Sequence, residues 1–145
     1  MQWPDFKLES LAMRLFAMTL LPVLAIAQPA LAQSCADPAA IAAARSGLES
    51  NYQDILSDIS CDAPTLPAHQ ILCNDPLLWE MEVLNTWAWV YATENATGQE
   101  TDHGNPPRDT DVIARRDACT DVACLCDVLI EKTNESLGGM SPYPQ

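Results

Sequence analysis

Six cysteines constrain this chain more strongly than any other feature of its sequence. They occupy positions 35, 61, 73, 119, 124 and 126. An even number of cysteines in a small exported chain is typical of a domain held together by disulfide bonds. Three of them lie at or before residue 73 and three follow Arg116, so full pairing requires an odd number of bridges between these two groups. At least one bridge therefore closes a long loop, which stabilises a fold by about 3 to 5 kcal/mol.

The N-terminal residues have the order of a secretory signal peptide. An apolar run over residues 15–27 follows two basic residues and precedes a small-x-small triplet that ends at Ala32, which is the layout that signal peptidase recognises. We therefore predict that residues 1–32 are a signal peptide, with Met13 as an alternative start. The run of about 13 residues is shorter than the roughly 20 that a membrane-spanning helix needs, so we expect no permanent membrane span.

Because a signal peptide directs export, we predict that the protein is periplasmic or secreted. An alternative is a lipoprotein in which Cys35 is the lipidated first residue. The preceding Ala32-Gln33-Ser34 disfavours this alternative, because a lipoprotein signal normally has a larger aliphatic residue three positions before the cysteine.

The chain that remains is strongly acidic. Without residues 1–32 it keeps 18 of the 20 Asp and Glu residues and five of the seven Lys and Arg residues, so the excess of negative charge stays at 13. This balance excludes a nucleic-acid partner, because phosphate contacts need clustered Lys and Arg side chains. The charge favours a basic protein partner, whose approach it would accelerate, although an acidic surface also serves solubility alone.

Capping residues and apolar spacing predict helices in most of the mature chain. The predicted helices run from Pro38 to about Leu56, from Pro76 to about Asn95, over residues 110–118, and from Val122 to Leu137 before Gly138-Gly139. Between them we predict an extended connector at 57–70 and a surface loop at 97–111. No stretch shows sustained period-two alternation. The predicted fold class is therefore all-α, a small disulfide-stapled helical bundle or hairpin of three to four helices.

The sequence lacks the motifs of common enzyme classes. It has no Gly-x-Ser-x-Gly elbow, His-Glu-x-x-His helix, phosphate loop or dinucleotide-binding fingerprint. His69 and His103 stand alone in a connector and a polar loop, and we expect them to be solvated surface residues. The cluster of Cys119, Cys124 and Cys126 lacks the paired spacing of a zinc site. We predict no catalytic residue, no metal and no cofactor, with a redox role for the last two cysteines as an alternative.

Two ordered blocks of residues are anchored by cysteines. The first contains Cys61, Cys73-Asn74-Asp75-Pro76, Leu78, Met81, Glu82 and Asn85. The second contains Arg116-Asp117-Ala118-Cys119 and, after four further residues, Cys124-Leu125. Together they resemble the LprI-type lysozyme-inhibitor domain family, small exported bacterial helical domains with two pairs of cysteines. The resemblance covers residues 59–137 as an LprI-like domain, between an N-terminal helical segment at 33–58 and a flexible tail at 138–145.

The resemblance implies that Cys35 and Cys126 are additions to a core of four cysteines. The economical hypothesis is that these two residues pair with each other and staple the N-terminal helix to the last helix. For the other four, the pattern Cys61–Cys73 with Cys119–Cys124 and the crossed patterns both stay open. A bridge between Cys124 and Cys126 is disfavoured, because one intervening residue gives poor bridge geometry.

The resemblance also implies a function by binding. Lysozymes are often basic, and our hypothesis is that a loop or helix end of this acidic domain occludes the cleft of a basic lysozyme. Glu100 and Asp102 on the long loop are the candidate partner-binding residues. Two other function classes stay open: an envelope protein-interaction module without inhibitory activity, and a thiol-redox protein.

Overall fold

The computed structural model describes residues 35–145, and the predicted signal peptide at 1–32 lies outside the described residues. The described part contains five α-helices and no β-strand. The helices are α1 (Pro38–Tyr52), α2 (Pro67–Asn74), α3 (Pro76–Thr97), α4 (Thr110–Asp117) and α5 (Val122–Leu137), and a short 3-10 helix, Gly138–Met140, follows α5. The predicted all-α fold class is confirmed, with one helix more than the three to four expected.

Four of the five helices begin at an aspartate whose side chain accepts hydrogen bonds from backbone N–H groups of the first turn. These N-caps are Asp37, Asp75, Asp109 and Asp121. An aspartate at this position satisfies N–H groups that have no partner within the helix, and its charge compensates the positive helix end. The local sequence therefore determines where these four helices begin.

Helix α2 corrects the prediction of an extended connector over residues 57–70. Pro67 occupies the first turn of this helix, a position where the fixed φ of proline and its missing N–H are both tolerated. The helix has no side-chain cap. It is stabilised instead by burial of Ala68 and Leu72, four residues apart on the face that packs against α3.

The sequence predicts the end of α5 correctly but places the end of α1 too late. Helix α1 stops at Tyr52, four residues before the predicted end at Leu56, and a turn follows in which the Ile55 N–H donates to the Tyr52 carbonyl (2.9 Å). Helix α5 stops at Leu137, as predicted. Gly138 has a φ of 54° there, in the left-handed region that favours glycine after a helix.

Helix α3 is central, and α1 packs against it in the same direction. Pro38 and Pro76, at the starts of the two helices, line one groove. Near the other ends of the helices, the Tyr52 hydroxyl donates to the Glu94 carboxylate (2.7 Å). Because starts meet starts and ends meet ends, α1 and α3 run parallel.

Helix α5 packs against another side of α3, again in the same direction. The Asn85 amide donates to the Thr133 hydroxyl across the two helices (3.2 Å). Two turns further along α3, the Tyr91 hydroxyl lies 3.9 Å from the sulfur of Met140, just beyond the end of α5. The C-termini of α1, α3 and α5 therefore lie at the same end of the domain.

The core consists of two clusters of buried side chains. The main cluster includes Ile41, Leu72, Leu78, Met81, Leu84, Val112, Leu125 and Leu129, and so has members from all five helices. The smaller cluster contains Tyr52, Ile55, Trp87 and Val90. Since α1 contributes to both clusters, the segments predicted as 33–58 and 59–137 share one core.

All six cysteines are paired in the structure. Cys35 is bonded to Cys126, Cys61 to Cys73, and Cys119 to Cys124. The first bridge is the one that the sequence analysis proposed, and it spans 91 residues, with a Cα–Cα distance of 5.9 Å. The other two are local bridges, so a single long-range bridge joins the two halves of the chain.

The C-terminal segment differs from the flexible tail expected at 138–145. Tyr143 is buried, with 4% of its surface exposed, and belongs to the main core cluster. The Asn134 side chain holds the last residues by donating to the Pro144 carbonyl (3.2 Å) and accepting from the Gln145 amide (2.9 Å). Burial of the Tyr143 ring in the core thus holds in place a segment whose composition predicts a free end.

The long-range bridge provides the first testable prediction. In the chain-entropy relation, closing a 91-residue loop contributes about 4.6 kcal/mol, and closing the five-residue loop of Cys119–Cys124 contributes about 2 kcal/mol. We expect the double variant Cys35→Ser/Cys126→Ser to lose roughly twice as much free energy of unfolding as Cys119→Ser/Cys124→Ser. Urea unfolding of both oxidised variants measures this difference. Equal losses would show that loop closure is not how the long bridge acts.

Candidate functional site

Three helix C-termini with no basic residue in their last turns lie at one end of the domain. They belong to α1, α3 and α5, and each carries roughly half a negative elementary charge from its aligned peptide dipoles. Acidic side chains add to this end: Glu49, Asp54, Glu94, Glu100 and Asp102. We call these helix ends and these five residues the acidic pole. At the opposite ends of these helices, Asp37, Asp75 and Asp121 cap the positive dipole ends.

A polar groove lies in the acidic pole, between the end of α1 and the loop that follows α3. Its lining includes Tyr52, Glu94, Glu100, Thr101 and His103. Glu94 organises the groove, because one carboxylate oxygen accepts from the Tyr52 hydroxyl (2.7 Å) and the other from the backbone N–H and hydroxyl of Thr101 (2.9 and 3.0 Å). The His103 ring lies 3.7 Å from the same carboxylate and 5.8 Å from the Tyr52 ring.

These contacts shift the pKa values of two groups in the groove. The hydrogen bond from the Thr101 backbone N–H, together with those from the Tyr52 and Thr101 hydroxyls, holds the pKa of Glu94 below its ordinary value. Burial and the neighbouring Glu94 carboxylate raise the pKa of the Tyr52 phenol well above its ordinary value. At neutral pH the groove therefore presents an ionised Glu94 and a neutral tyrosine.

The two predicted partner-binding residues lie in the acidic pole but have different surroundings. Glu100 is exposed and lines the groove beside Glu94. Asp102 is exposed as well, and its carboxylate accepts the backbone N–H of Gly104 (2.9 Å), which shapes the loop. The structure therefore brings Glu100 together with Glu94, a residue that the sequence analysis did not single out. The available signal was an acidic residue in the last turn of a helix, where the dipole disfavours it unless other groups hold it.

A second cluster of charges surrounds the buried side chain of Arg116, with Glu82 buried and Asp58 and Asp117 partly exposed. Arg116 has 1% of its surface exposed. Its guanidinium donates to Glu82 (2.7 Å), to both carboxylate oxygens of Asp58 (2.9 Å each) and to Asp117 (2.9 Å). These hydrogen bonds lower the pKa of Asp58, whereas burial raises the pKa of Glu82. The cluster joins the two cysteine-anchored sequence blocks, because Glu82 belongs to the first and Arg116 to the second.

The two histidines are less solvated than the sequence suggested. The His69 side chain is 18% exposed and its ring lies 2.9 Å from the Asp117 carboxylate, so it extends the Arg116 cluster to α2. The His103 side chain is 33% exposed in the polar groove. Their sequence surroundings are polar, and only the packing of α2 on α4 and of the loop on Tyr52 encloses them.

The described residues contain no group of three or more His, Cys, Asp or Glu side chains arranged to hold a metal ion. Among the helices of residues 35–145, none is long and apolar enough to cross a membrane. All six cysteines are engaged in disulfide bonds.

Comparison of the chain with protein-family models, with curated proteins and with solved structures gives no match. The resemblance to the LprI-type family thus depends on the two cysteine-anchored blocks alone, and what it implies about function is a hypothesis.

The variant Arg116→Met tests how much the charge cluster around Arg116 contributes to stability. Replacement by methionine leaves three carboxylates, one of them almost fully buried, without their cation, so we expect Arg116→Met to lower the free energy of unfolding by about 3 to 5 kcal/mol. The neighbouring Arg115 is a matched control, since it pairs with Glu131 at the surface and exposed pairs contribute little. Urea unfolding of Arg116→Met and Arg115→Met should therefore give very different losses. Similar losses for the two variants would contradict a central role for Arg116.

The lowered pKa of Glu94 predicts that its contribution to stability depends on pH. Because its pKa is lowered in the folded state, its contribution to stability is present above the unfolded-state pKa of about 4.3 and is lost as the pH falls through the lower folded-state value. We expect the stability difference between the wild type and Glu94→Gln to be largest near neutral pH and to shrink steadily below about pH 4. Thermal unfolding of both proteins over this range measures it, and a difference that stays constant in acid would refute the assignment.

Proposed function

We propose that this protein is an exported binding protein that captures a basic partner protein through its acidic pole. The observation that carries the proposal is the coincidence of three uncompensated helix C-termini with five acidic side chains at one end of the domain. Fixed dipoles and charges of one sign attract an oppositely charged protein and orient it during the encounter.

Several features of the fold support a role in binding outside the cytoplasm. Three disulfide bonds fix the domain, and such bonds persist in oxidising compartments. The loop that bears Glu100 and Asp102 is anchored by Glu94 through Thr101. A loop held in this way loses less conformational freedom on binding, which favours affinity.

The family resemblance suggests a basic lysozyme as the partner. In this proposal the loop after α3 and the end of α1 enter the substrate cleft, and Glu94 and Glu100 face basic side chains around it. Inhibition then follows from occlusion of the cleft, since the proposal assigns no catalytic group to this protein. The envelope interaction module without inhibitory activity becomes an outcome of the experiment.

Two double variants with equal changes in net charge test the acidic pole. Glu49→Gln/Glu100→Gln removes two charges from the pole. Asp62→Asn/Asp127→Asn removes two exposed charges elsewhere, one beside Cys61 and one in the first half of α5. We expect the first variant to slow association with a basic lysozyme by about threefold to tenfold at low salt, and the second to change it much less.

Association rates measured by surface plasmon resonance at low and physiological salt give this comparison, and a cell-wall lysis assay with the same oxidised proteins tests inhibition. Equal slowing by both variants would mean that net charge alone attracts the partner and would reject the acidic pole. Binding without inhibition would favour the envelope interaction module. Failure of the wild type to bind at stoichiometric excess would reject a lysozyme as the partner.

A further inference from the structure

The carboxyl group of Glu82, in the first half of α3, lies in surroundings that disfavour a negative charge. Its side chain is 2% exposed. One oxygen, Oε1, accepts from the Ser57 hydroxyl (3.0 Å) and from the Arg116 guanidinium (2.7 Å). The other oxygen, Oε2, is buried and has no hydrogen-bond partner among the described residues. All hydrogen bonds to this carboxyl group therefore reach one of its two oxygens.

Hydrogen bonds to one oxygen alone are the pattern expected of a protonated carboxyl group. In the neutral acid, Oε1 is a carbonyl oxygen that accepts two hydrogen bonds, and Oε2 carries the proton. In the ionised form both oxygens share the negative charge, and the share on Oε2 would be buried with no donor. An unpaired buried charge costs more free energy than an unpaired buried hydroxyl. The contacts of Glu82 therefore favour its neutral form.

The cation that contacts Glu82 is already occupied by other carboxylates. Arg116 donates to both oxygens of Asp58 (2.9 Å each) and, through its Nε atom, to Asp117 (2.9 Å). Two carboxylates thus outnumber the one positive charge of this guanidinium before Glu82 is counted. An ionised Glu82 would add a third negative charge, the most deeply buried of the three, with little attraction left to offset its burial.

The remaining charged groups that face this cluster supply no cation to Glu82. They are Arg108 and Asp109 before α4 and His69 of α2. The Arg108 guanidinium donates to a backbone carbonyl (2.9 Å), and His69 pairs with Asp117 (2.9 Å). The basic residues of α1 and α5 pair with carboxylates elsewhere: Arg45 with Glu80, and Lys132 with Asp111 and Glu135. Among the described residues, Arg116 is therefore the one cation in contact with Glu82.

We propose that Glu82 is protonated in the folded domain at neutral pH, which makes the contact between α3 and Arg116 sensitive to alkaline conditions. Burial raises the pKa of Glu82 and the Asp58 carboxylate adds to this effect, whereas Arg116 and Ser57 oppose it less strongly. Loss of the proton places a negative charge on the buried Oε2 atom and so destabilises the folded domain. This inference does not depend on the acidic pole or on its partner.

The variant Glu82→Gln keeps the shape of the neutral acid and tests the proposal by its pH dependence. In the wild type, the bound proton contributes stability that is fully present below the unfolded-state pKa of about 4.3 and is lost as the pH rises through the higher folded-state value. The unfolding equilibrium constant of the wild type, divided by that of the variant, should therefore rise by up to about tenfold per pH unit between about pH 5 and pH 7. Urea unfolding of both oxidised proteins at each pH measures this ratio.

Glu80→Gln is the matched control, because Glu80 lies two residues away on α3, is 43% exposed and pairs with Arg45. We expect the corresponding ratio for this variant to stay constant over the same pH range. A ratio for Glu82→Gln that also stays constant, or that falls as the pH rises, would show that Glu82 is ionised in the folded domain and would overturn the proposal.

Carbon NMR of the wild type measures the protonation state directly, and it keeps the proposal testable if Glu82→Gln does not fold. The oxidised protein is labelled with ¹³C in its glutamate residues, and through-bond correlations assign each carboxyl carbon. At neutral pH we expect the Glu82 carboxyl carbon at the chemical shift of a protonated acid and that of Glu80 at the shift of a carboxylate. A Glu82 carbon at the carboxylate shift would contradict the proposal.

Discussion

The ion pairs of the Arg116 guanidinium are the interaction on which the arrangement of the other elements depends. It lies between carboxylates from three segments: Asp58 in the connector, Glu82 in α3 and Asp117 at the end of α4. A buried charge is tolerated only where its partners surround it, so α4 and the connector pack correctly only when all of these contacts form together. Helix α4 buries little apolar surface of its own, with Val112 as its buried hydrophobic residue. Helix α4 packs against α5 and α2, and its position is therefore determined by charge as much as by hydrophobic burial.

The parallel direction of α1, α3 and α5 places three negative helix ends at the same end of the domain. Aspartate caps compensate the positive helix ends, whereas the negative ends gather without basic residues nearby in their last turns. The bridge between Cys35 and Cys126 ties the start of α1 to α5 and so holds this alignment. A covalent bridge and a core shared by all five helices thus oppose the mutual repulsion of the negative ends, and the acidic pole is the consequence.

Two glutamates of α3 hold different parts of the domain. Glu82 accepts from the Arg116 guanidinium through one carboxylate oxygen (2.7 Å). Glu94, three turns further along the same helix, accepts from Tyr52 and Thr101. The charge cluster around Arg116 therefore depends on one glutamate of this helix, and the acidic pole depends on the other.

The sequence by itself determined the starts of four helices, the end of α5 and the need for one long-range disulfide, because caps, glycines and cysteine spacing act locally or by counting. It also placed Glu100 on the loop that lines the groove. Only the tertiary structure decided the role of Glu94, the burial of Tyr143 and the meeting of Glu82 with Arg116. These depend on helix direction and on contacts between residues far apart in the chain, such as the 34 positions that separate Glu82 from Arg116. No local pattern encodes such contacts, because the charges themselves would be equally at home on a solvated surface.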